Sequence, residues 1–366
     1  MKICFLGSKT YPPIMGGIET HVFEIAPRLV KAGFEISVIV GKGKNEKWFE
    51  VIDGVKIIRI THSSNKYLSK LTMLPKVLNA IKKIKPDIYH AHDATMGFAS
   101  CTFLRDKPSI YTVHAISYSK QEWNFPISSI IKLYQTTAFK KANIVLCVDT
   151  KTKKIIQQYR EQVMLINNGV NLDVLSHEYE CPKIYDRKKI KILFIGRLVK
   201  VKGLELLFKA IQSLPKEIRK IIQIIIIGTG PLFKKYSNMI KQIPEIRMVG
   251  GISHQHIFPY FKFADIFVLP SYSEGLPISL LEAMCFKNAC ISTSVGDIPY
   301  RFDDNKDLLL IPPGNFIVLR NALIKMISNQ QLRIYLGNNA SKRINSEYSW
   351  EKIINKLIKI YRFFEH

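Results

Sequence analysis

The stretch 191–228, KILFIGRLVKVKGLELLFKAIQSLPKEIRKIIQIIIIG, decides how this chain folds. It opens with an apolar run ending in glycine, continues as a helical pattern from Gly203, and closes with a second apolar run. Runs that are apolar on both faces belong to strands of a parallel sheet covered by helices on both sides. Strand, helix and strand in this order make one parallel crossover unit.

The same alternation continues downstream through IRMVGG (246–251), DIFVLP (265–270), ACISTS (289–294) and LLLIPP (308–313). Upstream lies a separate series. KICFLG (2–7) precedes a Gly-rich turn and the amphipathic stretch Glu19–Ala32. Then come EISVIVG (35–41), VKIIRI (55–60), the helical KVLNAIKKIK (76–85), DIYHAH (87–92), SIYTVH (109–114) and NIVLCV (143–148). Two series of βα alternation predict two doubly wound α/β domains. The polar, irregular segment 170–189 reads as the linker between them. At Ser349–Phe364, residues Trp350, Ile353, Ile354, Leu357, Tyr361 and Phe364 recur at helical spacing, which predicts an amphipathic helix packed on the protein's own surface.

Bulk properties narrow the classes. A chain of 366 residues has room for two ordinary domains, and 47% hydrophobic residues supply real cores. The longest apolar run, Ile221–Gly228, is far too short to span a bilayer. A spanning helix needs roughly 20 apolar residues. MKICFLGSKTYPP reads as a buried first strand, not a secretory signal. Cys4, Cys101, Cys147, Cys181, Cys285 and Cys290 form no CxxC pair and read as reduced, buried thiols. The formal charge of +25 divides evenly, +13 over residues 1–168 and +12 over 169–366. It admits nucleic acid, an anionic membrane surface or a phosphorylated substrate as partner, and equally a lysine-rich composition without a partner.

Four elements point to a sugar diphosphate. Gly16-Gly17 opens a helix after the first strand, where backbone N–H groups and the helix dipole favour an anion. Arg197 and Lys202 follow strand KILFIG, at the carboxyl end where open α/β sheets bind ligands. Arg offers phosphate a bidentate fork and Lys a movable point charge, and both oppose the charge that grows on a leaving diphosphate. Glu274 and Glu282 flank Gly275-Leu276-Pro277-Ile278 after strand DIFVLP, and carboxylates accept from vicinal sugar hydroxyls. Pro277 suits the first turn of the helix that carries Glu282. His114 ends strand SIYTVH, while His90 and His92 share one face of DIYHAH. A metal at that pair would need third and fourth ligands, and none follows at zinc spacing.

Taken together, these motifs resemble the retaining glycosyltransferases of family 4, with their two-domain glycosyltransferase-B fold. PPIMGGIETH, the HAH and YTVHA strand ends, INNGVNLDVL (166–175), FIGRLVKVKG (194–203), IIGTGP (226–231) and DIFVLPSYSEGLPISLLEAM (265–284) carry the resemblance over nearly the whole chain. It implies two Rossmann-like domains facing across a cleft. Residues 1–169 would bind the acceptor and be completed by a final helix, 349–366, and residues 170–348 would bind the nucleotide sugar. It assigns His114, Arg197, Lys202 and Glu274 to catalysis, with Arg197 and Lys202 on the diphosphate and Glu274 on the transferred sugar. Gly16, Gly17, Asn168, Gly228, Gly275, Leu276, Pro277, Ile278 and Glu282 would bind substrate, Glu282 at the ribose.

The implied reaction retains anomeric configuration without a metal or other cofactor, and the sequence contains no Asp-x-Asp clamp. No carboxylate in these motifs stands as a covalent nucleophile, so front-face displacement is expected, the acceptor's proton passing to the departing phosphate. The acceptor would be a glycan or lipid-linked glycan, used in cell-surface polysaccharide or glycolipid synthesis. The enzyme would be cytoplasmic, peripheral on the inner face of the plasma membrane. Lys66–Lys85 and Ser117–Lys141, with Trp123 and Phe125, are the surface candidates for membrane contact. A sugar-nucleotide epimerase on the same fold and a non-enzymatic nucleic-acid binder are the alternatives. No helix-turn-helix or aromatic–basic RNA motif supports nucleic acid.

The chain departs from the family pattern in three places. Met284–Cys290 stands where the family reads Ala-x-Gly-x-Pro, Gly296-Asp297-Ile298-Pro299-Tyr300 where it reads Gly-Gly-x-Pro-Glu, and Asp304–Leu308 where it reads Asp-Gly-x-x-Gly. Asn can replace Gly at positive φ, so the fold is expected to survive these changes.

Overall fold

Short apolar runs separated by amphipathic helices leave the backbone one good solution, in which the runs pair as parallel strands and the helices cover both faces. The computed structural model, which describes residues 1–13, 16–43, 46–62, 69–117 and 125–365, realises this solution twice. Two compact units result, Met1–Asn167 with Glu351–His366, and Asn168–Trp350.

In the first unit the chain runs β1 (Lys2–Leu6), α1 (Gly17–Lys31), β2 (Glu35–Gly41), β3 (Phe49–Ile52), β4 (Val55–Ile60), α2 (Ser69–Ile84) and β5 (Ile88–Ala91). It continues through α3 (Ala94–Thr102), β6 (Ser109–Val113), α4 (Phe125–Lys141), β7 (Ile144–Cys147), α5 (Thr150–Ile156) and β8 (Met164–Leu165). The sheet order is β3-β4-β2-β1-β5-β6-β7-β8, parallel except for the β3–β4 hairpin. From β1 the chain builds outward through β2, then returns to place β5 on β1's other side. That reversal is a topological switch point, and it leaves a crevice outside the carboxyl ends of β1 and β5.

The second unit holds β9 (Ile190–Ile195), α6 (Leu204–Gln212), α7 (Lys216–Lys220), β10 (Ile222–Ile227), α8 (Phe233–Met239), β11 (Ile246–Gly250) and α9 (Phe258–Phe263). Then follow β12 (Ile266–Leu269), α10 (Ile278–Cys285), β13 (Ala289–Thr293), α11 (Ile298–Arg301), β14 (Leu309–Ile311), α12 (Phe316–Ser328) and α13 (Gln330–Glu347). Its sheet is β11-β10-β9-β12-β13-β14, and every pairing is parallel. Here the switch point lies between β9 and β12. The loops that leave those two strands are Gly196–Lys202 and Pro270–Pro277, which carry most of the residues singled out above.

Three features refine or correct the sequence reading. The segment 170–189 is no free linker: Val170, Val174 and Tyr185 are buried in the second unit's core. The β3–β4 hairpin, closed by Asp53 and Gly54 at φ +50° and +78°, adds an antiparallel edge that the alternation does not suggest. Of the six free thiols, five are buried and Cys181 is half-buried.

The final helix, α14 (Trp350–Arg362), turns its apolar stripe inward. Trp350, Ile353, Ile354, Leu357 and Tyr361 are all buried. Each such burial contributes about 1.5–3 kcal/mol. Arg28 Nε lies 3.4 Å from Glu351 Oε1, which ties the start of the helix to α1. The helix ends at Arg362, so Phe364, expected on the stripe, lies beyond it and is half-buried, and Phe363 is exposed. Among the described residues no helix is long and apolar enough to cross a membrane.

Candidate functional site

In the second unit the site residues are assembled at the β9/β12 switch point by short backbone ties. Leu198 N bonds to Thr229 O at 2.9 Å, which pins the loop after β9 to the loop after β10. Gly228 follows β10 within that second loop and donates its N–H to Gly250 O at 2.8 Å. Arg197 is exposed at the carboxyl end of β9 and, among the described residues, has no ion pair. Lys202 closes a 3-10 turn at 200–202, and Tyr272 N reaches back to Val201 O at 2.7 Å. The two switch-point loops are therefore stitched together.

Across that stitch, Lys202 Nζ sits 2.7 Å from Glu274 Oε1 and 3.0 Å from Oε2. Ser271 Oγ donates to Glu274 Oε1 at 2.5 Å. The side chains of Lys202 and Glu274 are only 18% and 10% exposed. The pair is therefore sheltered from much of the solvent screening that weakens surface ion pairs. The ammonium has three donors, which lets it keep one on Glu274 and turn others to a phosphate oxygen.

Gly275 to Ile278 lead into α10. Gly296 lies directly beneath them: at φ +61°, a side chain there would meet the backbone carbonyls of Glu274 and Gly275. Asp297 N donates to Gly275 O at 3.1 Å, and buried Asn168 Nδ2 donates to Leu276 O at 3.0 Å. Asn168 is thus placed as a brace of this loop. Leu276 is buried, while Pro277 takes the N-cap position of α10, one residue earlier than its expected place in the first turn. The first amides of α10 lack helical acceptors and carry the positive end of the helix dipole.

Glu282 sits in the second turn of α10, its side chain 5% exposed, with His254 Nε2 at 2.5 Å from its Oε1. His254 belongs to the turn 254–256, and its ring packs edge-on to Phe258. Sequence reasoning misses His254, because nothing in SHQH (253–256) separates it from a surface turn.

The three departures from the family pattern have physical explanations. Positive φ falls on Lys287 (+62°) and Asn305 (+57°), where the family pattern supplies glycines. Asn288 Nδ2 donates to Phe261 O and Ala264 O, both at 2.8 Å, so it ties α9 to the turn after α10. Asp297 adopts φ −85°, ψ −9°, which any residue tolerates, and its buried carboxylate lies 3.6 Å from Arg301.

In the first unit Gly16 and Gly17 begin α1 beyond the carboxyl end of β1. Gly16 has φ +136°, and a side chain there would run into the Glu19 carboxylate. Gly17 is exposed with open space where a Cβ would be, so its backbone is open to close approach by a ligand.

His114, half-buried after β6, lies in a cluster of histidines. Its Nε2 is 3.1 Å from His92 Nδ1, and the His21 ring meets it edge-on at 4.8 Å. His92 stacks on His90 at 4.4 Å. His90 is held by Tyr361 OH at 2.6 Å and Thr112 Oγ1 at 2.7 Å. Burial pushes all three of His90, His92 and His114 down, His90 to about 3, and neighbouring histidines add to the effect. The rings are therefore neutral at pH 7.

His21, His92 and His114 each offer a ring nitrogen within 4.8 Å of the others, a set able to hold a divalent ion. The sequence reading finds no further ligands after DIYHAH; the added rings come instead from α1 and from the end of β6. The 3.1 Å approach of His92 to His114 is that of an ordinary hydrogen bond between neutral imidazoles.

On α4, Ile130 and Leu133 are exposed beside Lys132, with Lys140 and Lys141 exposed at its end. Its sequence, FPISSIIKLYQTTAFKK, contains no carboxylate. Lys66, Trp123 and the Phe125 side chain, also candidates for membrane contact, lie outside the described residues.

Comparison with known proteins agrees in both halves. Residues 182–343 match the family described as Glycosyl transferases group 1, and residues 15–174 match Glycosyltransferase Family 4. An uncharacterized glycosyltransferase of Methanocaldococcus jannaschii, MJ1069, is 26% identical over 379 residues, 96% of each chain. Sucrose-phosphate synthase from Thermosynechococcus elongatus superposes with a TM-score of 0.85 at 18% identity, covering 99% of this chain and 98% of that one. Anabaena HepE in complex with UDP-glucose gives 0.79 at 17% identity, covering 99% of each.

Proposed function

Because the chain belongs to the group 1 glycosyltransferases, we propose that it moves a sugar from a nucleoside-diphosphate sugar to a glycan or lipid-linked acceptor, with retention and without a metal. The observation that carries this reading is the convergence at the β9/β12 switch point. Two cations, a carboxylate held by one of them, and the amino end of α10 meet on two stitched loops. Arg197, Lys202 and the α10 amides hold the diphosphate and oppose the charge that grows on it as the glycosidic bond breaks. Glu274 accepts from hydroxyls of the transferred sugar. Glu282, oriented by His254, accepts from the ribose. His114 serves the transferred sugar, and Gly17 offers its backbone to the distal phosphate. The departing phosphate takes the acceptor's proton, so the protein need supply no separate base. UDP-glucose bound to HepE, a protein of the same fold, supports a nucleotide-sugar donor.

Exposed Ile130 and Leu133 among the α4 lysines support a peripheral place on an anionic membrane. The deciding experiment is a screen of UDP- and GDP-sugars that reads nucleoside diphosphate release with and without glycolipid acceptors. Acceptor-dependent release from one donor is expected. Conversion of a donor to an isomeric sugar nucleotide with no acceptor would replace this reading with an epimerase.

A further inference from the structure

The histidine cluster of the first unit contains more order than its one assigned member needs. A hydrogen bond between His92 Nδ1 and His114 Nε2 requires a single proton, and the rings are neutral, so only two arrangements exist. If His114 Nε2 carries the proton, His92 must carry its own on Nε2. That atom is buried and, among the described residues, has no hydrogen-bond partner. An orphaned buried N–H is a rare and unfavourable feature, on the order of 1–3 kcal/mol. The Phe5 ring is T-shaped to His92 with ring centroids 5.3 Å apart. It offers such an N–H only a weak π acceptor. If His92 Nδ1 carries the proton instead, the buried Nε2 of His92 holds only an unmatched lone pair, which costs less than an orphaned N–H, and the proton of His114 lies on Nδ1, which is not among the buried unpartnered atoms.

We propose that His92 is a positioning residue: it donates from Nδ1 to His114 Nε2, fixes His114 as the Nδ1–H tautomer, and makes it a hydrogen-bond donor toward the transferred sugar. The proposal rests on the reading that His114 serves that sugar. The cluster is built to hold the arrangement. His90 covers one face of His92 and is itself fixed from both ends by Tyr361 and Thr112. His21 closes on His114 from α1, so His114 is gripped by rings from two elements besides its own. Nδ1 of His114 then remains as the nitrogen that meets a ligand.

The test uses the full-length protein labelled with ¹⁵N-histidine, with tautomers read from long-range ¹H–¹⁵N correlations. Wild type is expected to show His114 as the Nδ1–H tautomer. An Nε2–H tautomer, or one equivalent of zinc in the purified protein, would overturn the proposal. His92→Phe, which keeps the ring packing and removes the donor, should abolish the fixed tautomer and lower kcat about tenfold, with donor KM within about twofold. His92→Asn places an amide N–H where Nδ1 stood and should restore most of that loss; equal loss in both variants counts against a donor role. His114→Ala separates the two layers. Unchanged turnover there would refute the sugar-contact reading, while the wild-type tautomer still judges His92.

Discussion

Lys202 and Glu274 hold each other: 72 residues apart, they meet with Nζ at 2.7 and 3.0 Å from the two carboxylate oxygens. The pair joins the two loops of the switch point, and the proposed function gives each member a second role, toward the donor. Removing either leaves the other as an unpaired charge in a sheltered place. Lys202→Met and Glu274→Gln should each cut turnover by about 10²-fold, and the double variant should lose far less than the product of the two. Arg197→Ala, which strands no partner among the described residues, should cost a similar factor by itself. Steady-state kinetics with a working donor measure all four; unchanged rates in Arg197→Ala and Glu274→Gln would remove the site.

Gly296 sets the height of the loop that carries Glu274 and Gly275. A methyl group there would press on the carbonyls of Glu274 and Gly275, and the backbone sits at φ +61°. Gly296→Ala should therefore lower kcat/KM by about tenfold or more, since small misplacements of positioning groups slow a reaction steeply. Normal kinetics in a folded variant would show that the loop tolerates the shift.

His254 presents the carboxylate of Glu282 from a neighbouring turn. If Glu282 binds the ribose, loss of that contact weakens the ground and transition states alike. His254→Ala is expected to raise donor KM about five- to tenfold with kcat nearly constant. A fall in kcat at constant KM would place Glu282 in the chemistry instead.

Lys287 occupies left-handed backbone at φ +62° on the surface. A side chain in that conformation costs about 1 kcal/mol relative to glycine. Lys287→Gly should raise the melting temperature of the second unit by about 2–4 °C without touching activity. A lower melting temperature would mean that the lysine has a compensating contact.

Activity should survive EDTA, because the proposed charge stabilisation comes from Arg197, Lys202 and helix amides. Abolished turnover, restored by one divalent ion, would move that role to a metal.

Much of this site is legible in the sequence because it obeys a topological rule. Cations and carboxylates placed just after strands of a parallel sheet must lie at its carboxyl edge, so Arg197, Lys202 and Glu274 can be picked from their neighbours alone. Their pairing cannot, since it depends on how two loops dock. His254 and His21 are invisible for a related reason: each lies in a turn or helix whose local pattern is ordinary, and only packing against Glu282 or His114 distinguishes them. The β3–β4 hairpin does carry a signal, Asp53-Gly54 between short alternating runs, which the longer βα rhythm overshadows. The segment 170–189 reads as a linker because Val170, Val174 and Tyr185 follow neither a helical nor a strand period, yet irregular chain can fill a core as well as a helix does.

The course of the chain has a consequence for its synthesis. α14 delivers Tyr361 to His90 only after all of Asn168–Trp350 has been made. The unit begun first on the ribosome is thus finished last. Until then its histidine cluster lacks the hydroxyl that fixes His90, and its core lacks one helix. A nascent chain released before residue 361 would carry a completed second unit and an unfinished first. Quality control that monitors the exposed seat of α14 would therefore reject the enzyme at the unit that had the longest time to fold.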